Sequence, residues 1–158
     1  MDKREYKEIS ALAANGDTKA FAHLYETIYR EMYYTAFYTL ANDADAVSVV
    51  LRTIKDGFSS VGRLHTEQAF RTFMMKSLCA RIKARYKEYQ SDGAEAAAVA
   101  ETSDIKREFE RLSYNERITA AMYAAGRFIP EEISAFTGLS AGTVKKSLKS
   151  ALEQFELD

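Results

Sequence analysis

The chain has 158 residues, 47% of them apolar, and its 22 basic and 23 acidic side chains leave a formal charge of −1. A chain of this length buries a core in one domain or two small ones, and so even a charge balance excludes a basic tail that coats nucleic acid indiscriminately. Cys79 is the single cysteine, which excludes an internal disulfide.

One proline and seven glycines, among many Ala, Glu, Lys and Leu, predict an all-α chain. The start, MDKREYKEIS, is charged and runs into no apolar stretch, so it does not read as a signal peptide. No run approaches the ~18 apolar residues of a membrane span. A cytoplasmic protein without membrane attachment is expected.

In chain order, a first short helix is predicted over 3–14. The cap signal Asp17-Thr18 precedes a long aromatic helix, AFAHLYETIYREMYYTAFYTL. Phe21, Leu24, Ile28 and Met32 recur along it every three or four residues, with Tyr25, Tyr29, Tyr33 and Phe37 as a second stripe. Two stripes predict a wide buried face, as in a bundle. That regular spacing assigns the tyrosines to packing rather than to stacking on unpaired bases.

The run NDAD at 42–45 caps the next predicted helix, which carries Val47, Val50, Leu51 and Ile54. A loop is expected from Gly57 to Gly62, then a helix from Glu67 to Tyr89. Residues 90–104, QSDGAEAAAVAETSD, hold four acids and no base, and read as an acidic linker with some helical content. It divides the chain into an N-terminal part, 1–89, and a C-terminal part, 105–158. The first has 14 bases against 11 acids; the second has eight of each.

In the C-terminal part, helices are predicted over 105–112 and from Tyr114-Asn115 onward, the latter carrying Ile118, Met122 and Tyr123. Pro130 fits a first-turn proline before EEISAF, whose glutamates favour a helix start. Gly138 suits a left-handed helix end, Leu139 turns inward, and Ser140 caps the next helix. Val144, Leu148, Leu152 and Phe155 then form one apolar face, with Lys145, Lys146, Lys149, Thr143 and Ser150 opposite.

Two helices about a glycine turn, the second with a basic face, make a helix-turn-helix. The first helix braces the second, which enters a major groove. Its lysines meet phosphates and its short N-terminal side chains reach base edges. A helical hairpin with solvated lysines is the plainer reading of a glycine turn alone. Spacing, cap and basic face together favour DNA binding, through Ser140, Thr143, Lys145, Lys146 and Lys149.

The stretch EISAFTGLSAGTVKKSLKSAL resembles the C-terminal DNA-binding region of bacterial sigma factors. The likeness rests on Glu132, Ile133, Gly138, Leu139, Ser140, Gly142, Thr143, Val144, Lys145, Leu148 and Ala151. The preceding RLSYNERITAAM looks like that region's entry, with its Leu-x-x-x-x-Arg pattern. GDTKAFAHLYETIYREMYYTAF resembles the start of the polymerase-engaging sigma domain through Gly16, Asp17, Ala20, Phe21, Leu24, Tyr25, Tyr29, Tyr33 and Ala36. The order of the two matches resembles the small extracytoplasmic-function group, with this chain as a divergent member. The resemblance implies two helical domains, promoter DNA and core RNA polymerase as partners, and an anti-sigma protein as a further one.

The family's acidic polymerase-docking stretch is DAVSVVLRTI here, at 45–54. Asp45, Ala46, Val50 and Thr53 match, so Asp45, Val50 and Thr53 are the polymerase-binding candidates. Val47, Ser48 and Leu51 stand where two acids and a glutamine are usual, and Arg52 reverses a charge. In FRTFMMKSLCARIK, Phe70 and Arg71 match, Phe73 replaces a tryptophan and Ala80 an asparagine. Ser147 and Ser150 stand at two usual arginine positions.

A second basic patch, KSLCARIKARYK, brings Lys76, Arg81, Lys83, Arg85 and Lys87 with no acid. By position it faces promoter DNA in a sigma-like protein, against the alternative of a solvated basic face. The loop FSSVGRLHTEQ, with Arg63 and His65, is the expected single-strand contact, because in the family a loop here grips a flipped base.

His23, His65 and Cys79 show no metal-ligand spacing, and no phosphate-binding glycine loop or nucleophile elbow occurs. Asp43, Asp45 and Glu67 read as caps. No cofactor, metal or catalysis is expected. Two other readings remain: a DNA-binding regulator that does not engage polymerase, and a sigma-shaped interaction module without DNA affinity.

Overall fold

A computed structural model describes residues 1–91 and 104–156. The predicted acidic linker lies mostly outside the described residues; Gln90 and Ser91 extend the helix before it and Asp104 begins the one after. Every described element is helical: α1 (Lys3–Ala14), α2 (Thr18–Glu26), α3 (Tyr29–Leu40), α4 (Asp43–Ser60), α5 (Glu67–Ser91), α6 (Asp104–Glu110), α7 (Tyr114–Ala120), α8 (Pro130–Thr137) and α9 (Ala141–Glu156). A 3₁₀ turn, Val61–Arg63, links α4 to α5, and a π turn, Ala121–Ala125, extends α7.

Local chemistry sets most helix starts. Asp2, Asp17 and Asn42 each accept a hydrogen bond from the backbone three residues on, at Glu5, Ala20 and Asp45. Thr66 does the same for Ala69, and Ser113 forms a reciprocal pair with Glu116.

The predicted long aromatic helix is in fact two. Thr27 folds its hydroxyl onto the Leu24 carbonyl at 2.7 Å, and Ile28 leaves helical geometry with φ −130° and ψ −2°. Ile28 is fully buried at this break, so packing sets it rather than any local breaker residue. The expected inward stripe holds: Phe21, Leu24, Ile28 and Met32 are all buried, while Tyr25, Tyr33 and Phe37 are half-buried and Tyr29 is exposed.

The loop expected from Gly57 to Gly62 is also corrected, because α4 runs through to Ser60. Gly57 sits in a buried helix crossing, where a Cβ would stand 2.5 Å from the Met74 sulfur and 3.1 Å from the Phe21 ring. Close packing demands the glycine here. On α4 the buried side chains are Ala46, Val49, Val50, Thr53 and Ser60, whereas Leu51 is 55% exposed.

α1 to α5 pack as a bundle, and α7, α8 and α9 form a second group. The two groups share one core. Ile118, Met122, Phe128, Ile133, Phe136 and Val144 are continuous with Phe70, Met75, Leu78 and Ile82. A smaller cluster of Phe109, Leu112, Ala120, Ala121 and Ala151 closes over Tyr38 and Phe155. Among the described residues, no helix is long and apolar enough to cross a membrane.

Candidate nucleic-acid interface

The corner predicted at Gly138 is present. Pro130 opens α8, and Glu132 turns back to accept the Ile129 N–H at 3.1 Å. Gly138 ends the helix at φ 80°, and its N–H bonds the Ser134 carbonyl at 3.0 Å. The turn is tied by its own side chains. Ser134 donates to the Leu139 carbonyl at 2.7 Å, and Thr137 accepts the Leu139 N–H at 3.2 Å. Ser140 then caps α9 by accepting the Thr143 N–H at 3.1 Å. Replacing Ser140 by alanine removes that cap, at a cost of about 1 kcal/mol in stability. The urea midpoint reads the loss, and an unmoved midpoint rejects the assigned role.

Val144 and Ala151 are fully buried on α9 and Leu148 nearly so. Leu152, predicted inside, is 45% exposed, because Ala151 takes the inward position against Phe109 and Ala121. Lys145, Lys146 and Lys149 project into solvent, and none is in an ion pair among the described residues. Lys145 and Lys149, but not Lys146, border a groove of about 390 Å³ with Tyr123, Pro130, Leu148, Leu152 and Glu153, along which their stems can lie. Ser150, expected beside the lysines, instead donates to Glu116, which Gln154 also holds at 2.7 Å. Burial opposes ionisation of Glu116, but these bonds and those from Ser113 outweigh it and keep its carboxyl below the usual range. Ser150 therefore fastens α9 to α7 and lies off the basic face.

The second basic patch is divided by helical geometry. Arg81 turns toward α4 and grips Asp56 with both Nε (2.7 Å) and a terminal nitrogen (2.8 Å), while Ser77 donates to the same carboxylate at 2.8 Å. Arg85 pairs with Asp45 at 3.2 Å and with Glu88, and Asp45 also accepts from Tyr89. Both arginines are thus bound within the N-terminal half, leaving Lys76, Lys83 and Lys87 as the exposed cations of the run. Arg63 is exposed at the 3₁₀ turn and donates to Ser60 at 3.1 Å; His65 is exposed beyond it. The predicted loop is therefore short, confined to Leu64–Thr66 after the 3₁₀ turn.

Among the polymerase-binding candidates, Val50 and Thr53 are buried and present no surface, and Thr53 bonds the Val49 carbonyl at 2.7 Å. Asp45 is half-buried in its network. Leu51, Arg52 and Lys55 are exposed on α4 instead. A sequence match marks a position as shared without saying which way it points.

The Arg81 bonds hold the Asp56 carboxyl below its usual range; burial opposes this and Ser77 adds to it. A carboxyl depressed in the folded state stabilises above its unfolded pKa of about 3.9. That stability is lost as pH falls through the folded value. Asp56→Asn is expected to cost about 1 kcal/mol at pH 7 for this third-exposed pair, and the gap from the parent should narrow progressively as pH falls below about 4. Urea midpoints at pH 7 and pH 3 measure it; a gap undiminished at pH 3 contradicts the ion-pair account.

Arg117 was legible only as the end of the Leu-x-x-x-x-Arg pattern. It donates to the Leu112 carbonyl at 3.0 Å, to Glu110 at 2.6 Å and, across to α3, to Thr39 at 3.3 Å. Its guanidinium also lies over the Tyr86 ring of α5, 5.4 Å from the centroid. The pattern's leucine and arginine are joined directly, and the arginine bridges both halves.

No family model and no curated protein matches the sequence. The fold does match solved structures. The chain superposes on CnrH, solved in complex with the cytosolic domain of CnrY, with a TM-score of 0.74 at 18% identity, over 97% of this chain and 96% of that one. It also superposes on the sigma factor RpoE from Bartonella quintana, solved with the anti-sigma factor NepR, with a TM-score of 0.66 at 19% identity, over 86% of this chain and 94% of that one. The chain shares the all-α fold of these two structures, and the likeness extends through both the N-terminal bundle and the helix-turn-helix.

Proposed function

We propose that the chain is a sigma-type transcription initiation factor acting in the cytoplasm, without catalytic activity of its own. Residues 105–158 read an upstream promoter element through α9, and residues 1–89 engage core RNA polymerase. The observation that carries this reading is the exposed, unpaired trio Lys145, Lys146 and Lys149 on a helix braced by a capped three-residue turn. Phosphates bind such a face, and Ser140 and Thr143 stand at the helix end that meets base edges. The RpoE likeness, with its bound anti-sigma factor, supports an inhibitory protein partner as well.

A second reading, a DNA-binding regulator that does not engage polymerase, is favoured by one feature: the outward face of α4 carries Leu51 where the resemblance leads one to expect a glutamine and Arg52 where it leads one to expect an acid. Run-off transcription with purified core polymerase and the gene's own upstream region decides. Initiation from a defined start supports the first reading. Footprinting of that DNA without any transcript, and without retention on core polymerase, selects the second.

A further inference from the structure

A bundle helix turns one side to the core, and the other side decides which surfaces it can meet. On α4 all three acids are spent on partners inside the N-terminal bundle. Asp43 accepts from the Tyr33 hydroxyl of α3. Asp45 pairs with Arg85 and accepts from Tyr89, and Asp56 is held by Arg81 and Ser77, all of α5. The two bases of α4, Arg52 and Lys55, are exposed, and neither enters an ion pair among the described residues.

These bases frame an apolar side chain. Ala44, Ser48, Leu51 and Lys55 recur at spacings of four, three and four, so they form one outward stripe, with Leu51 55% exposed at its middle and Arg52 flanking it. Arg52 also borders a cleft of about 370 Å³ between α4 and α5, together with Asp45, Ser48, Arg81, Arg85 and Glu88. The other charges of that lining are already paired, Arg81 with Asp56 and Arg85 with Asp45 and Glu88. Arg52 is the charge of the cleft left for a partner. An acidic surface with an apolar ridge complements this side of α4, whereas a basic one is repelled.

We propose that the outward side of α4 docks an acidic element of core RNA polymerase, with Leu51 packing on its apolar ridge and Arg52 and Lys55 pairing with its carboxylates. The inference rests on the polymerase-engaging reading above and assigns the sign of the charge that the polymerase must present.

Charge reversal tests it. Arg52→Glu combined with Lys55→Glu should weaken binding of the intact chain to purified core polymerase at least tenfold near 0.15 M salt, and Arg52→Lys should keep most of the affinity. The parent's affinity should fall as salt rises, and Arg52→Gln with Lys55→Gln should flatten that dependence. Leu51→Ala should weaken binding severalfold and leave the salt dependence as it is. Both bases are exposed, so the far-UV spectrum and urea midpoint of the variants should match the parent's. If the doubly reversed chain does not fold, Lys55→Glu alone, which lies outside the cleft, should still weaken binding at least threefold. Equal or tighter binding by a folded, charge-reversed chain overturns the acidic-partner assignment and leaves the polymerase reading standing. If the folded parent is not retained on core polymerase at all, that reading and the assignment fall together.

Discussion

Replacing Lys145 and Lys149 together by alanine is expected to weaken binding to any duplex by up to about 30-fold near 0.15 M salt. The log–log salt slope should fall by about 1.8 in the same variant, because each lost phosphate contact releases about 0.9 counterion fewer. Both side chains are exposed and outside the core, so the folded structure should survive intact. The loss should be alike on promoter and random DNA, since phosphates carry no sequence information. Arginines at both positions should restore the slope. Fluorescence anisotropy at four or five salt concentrations reads all of this. Binding as tight as the parent's, with the parent's slope, removes these lysines from the interface.

The largest stability effect is expected at Phe70. Its ring is 1% exposed and meets Tyr6 of α1 at 6.4 Å and Phe21 of α2 edge-on at 6.1 Å, so one α5 side chain ties three helices together. Phe70→Ala should cost about 3–5 kcal/mol through lost burial and the cavity left behind. That is a large part of the ~5–15 kcal/mol holding a typical domain folded. At about 2–4 °C per kcal/mol for a chain of this size, the midpoint should drop by roughly 10 °C. Calorimetry measures it. A shift below about 2 °C means that the site collapses around the gap, or that Phe70 is not a keystone.

The sequence was most readable where a single residue acts on its own backbone. Asp17, Asn42, Pro130, Gly138 and Ser140 each behave as their local chemistry requires, so the helix starts and the corner came out correctly. It was least readable where a partner distant in sequence decides. Nothing between Leu24 and Met32 announces the break at Ile28; the core into which that residue is pressed does. Gly57 looked like a loop signal, whereas its lack of a side chain admits Met74 into a helix crossing.

The same division runs through the candidate site. Helical periodicity cannot choose between Ala151 and Leu152, and the tight approach of Phe109 and Ala121 selects the smaller. The charge run on α5 sets Arg81 and Arg85 beside the lysines, but their counter-charges, Asp56 and Asp45, lie on α4 and are invisible from within the run. Val50 and Thr53 match by resemblance, which preserves a buried position as faithfully as an exposed one. The lysines of α9 were readable because they stand opposite Val144 and Leu148 on one amphipathic helix, a relation contained within a few residues.

The functional reading depends above all on the exposed side of α9 binding nucleic acid. Titrating the intact chain into a labelled duplex of its gene's upstream region, in parallel with a random duplex, tests it most directly. Salt-dependent saturable binding, tighter on the upstream duplex, is the expected result; no binding to either duplex at low salt, with the chain folded, would contradict it.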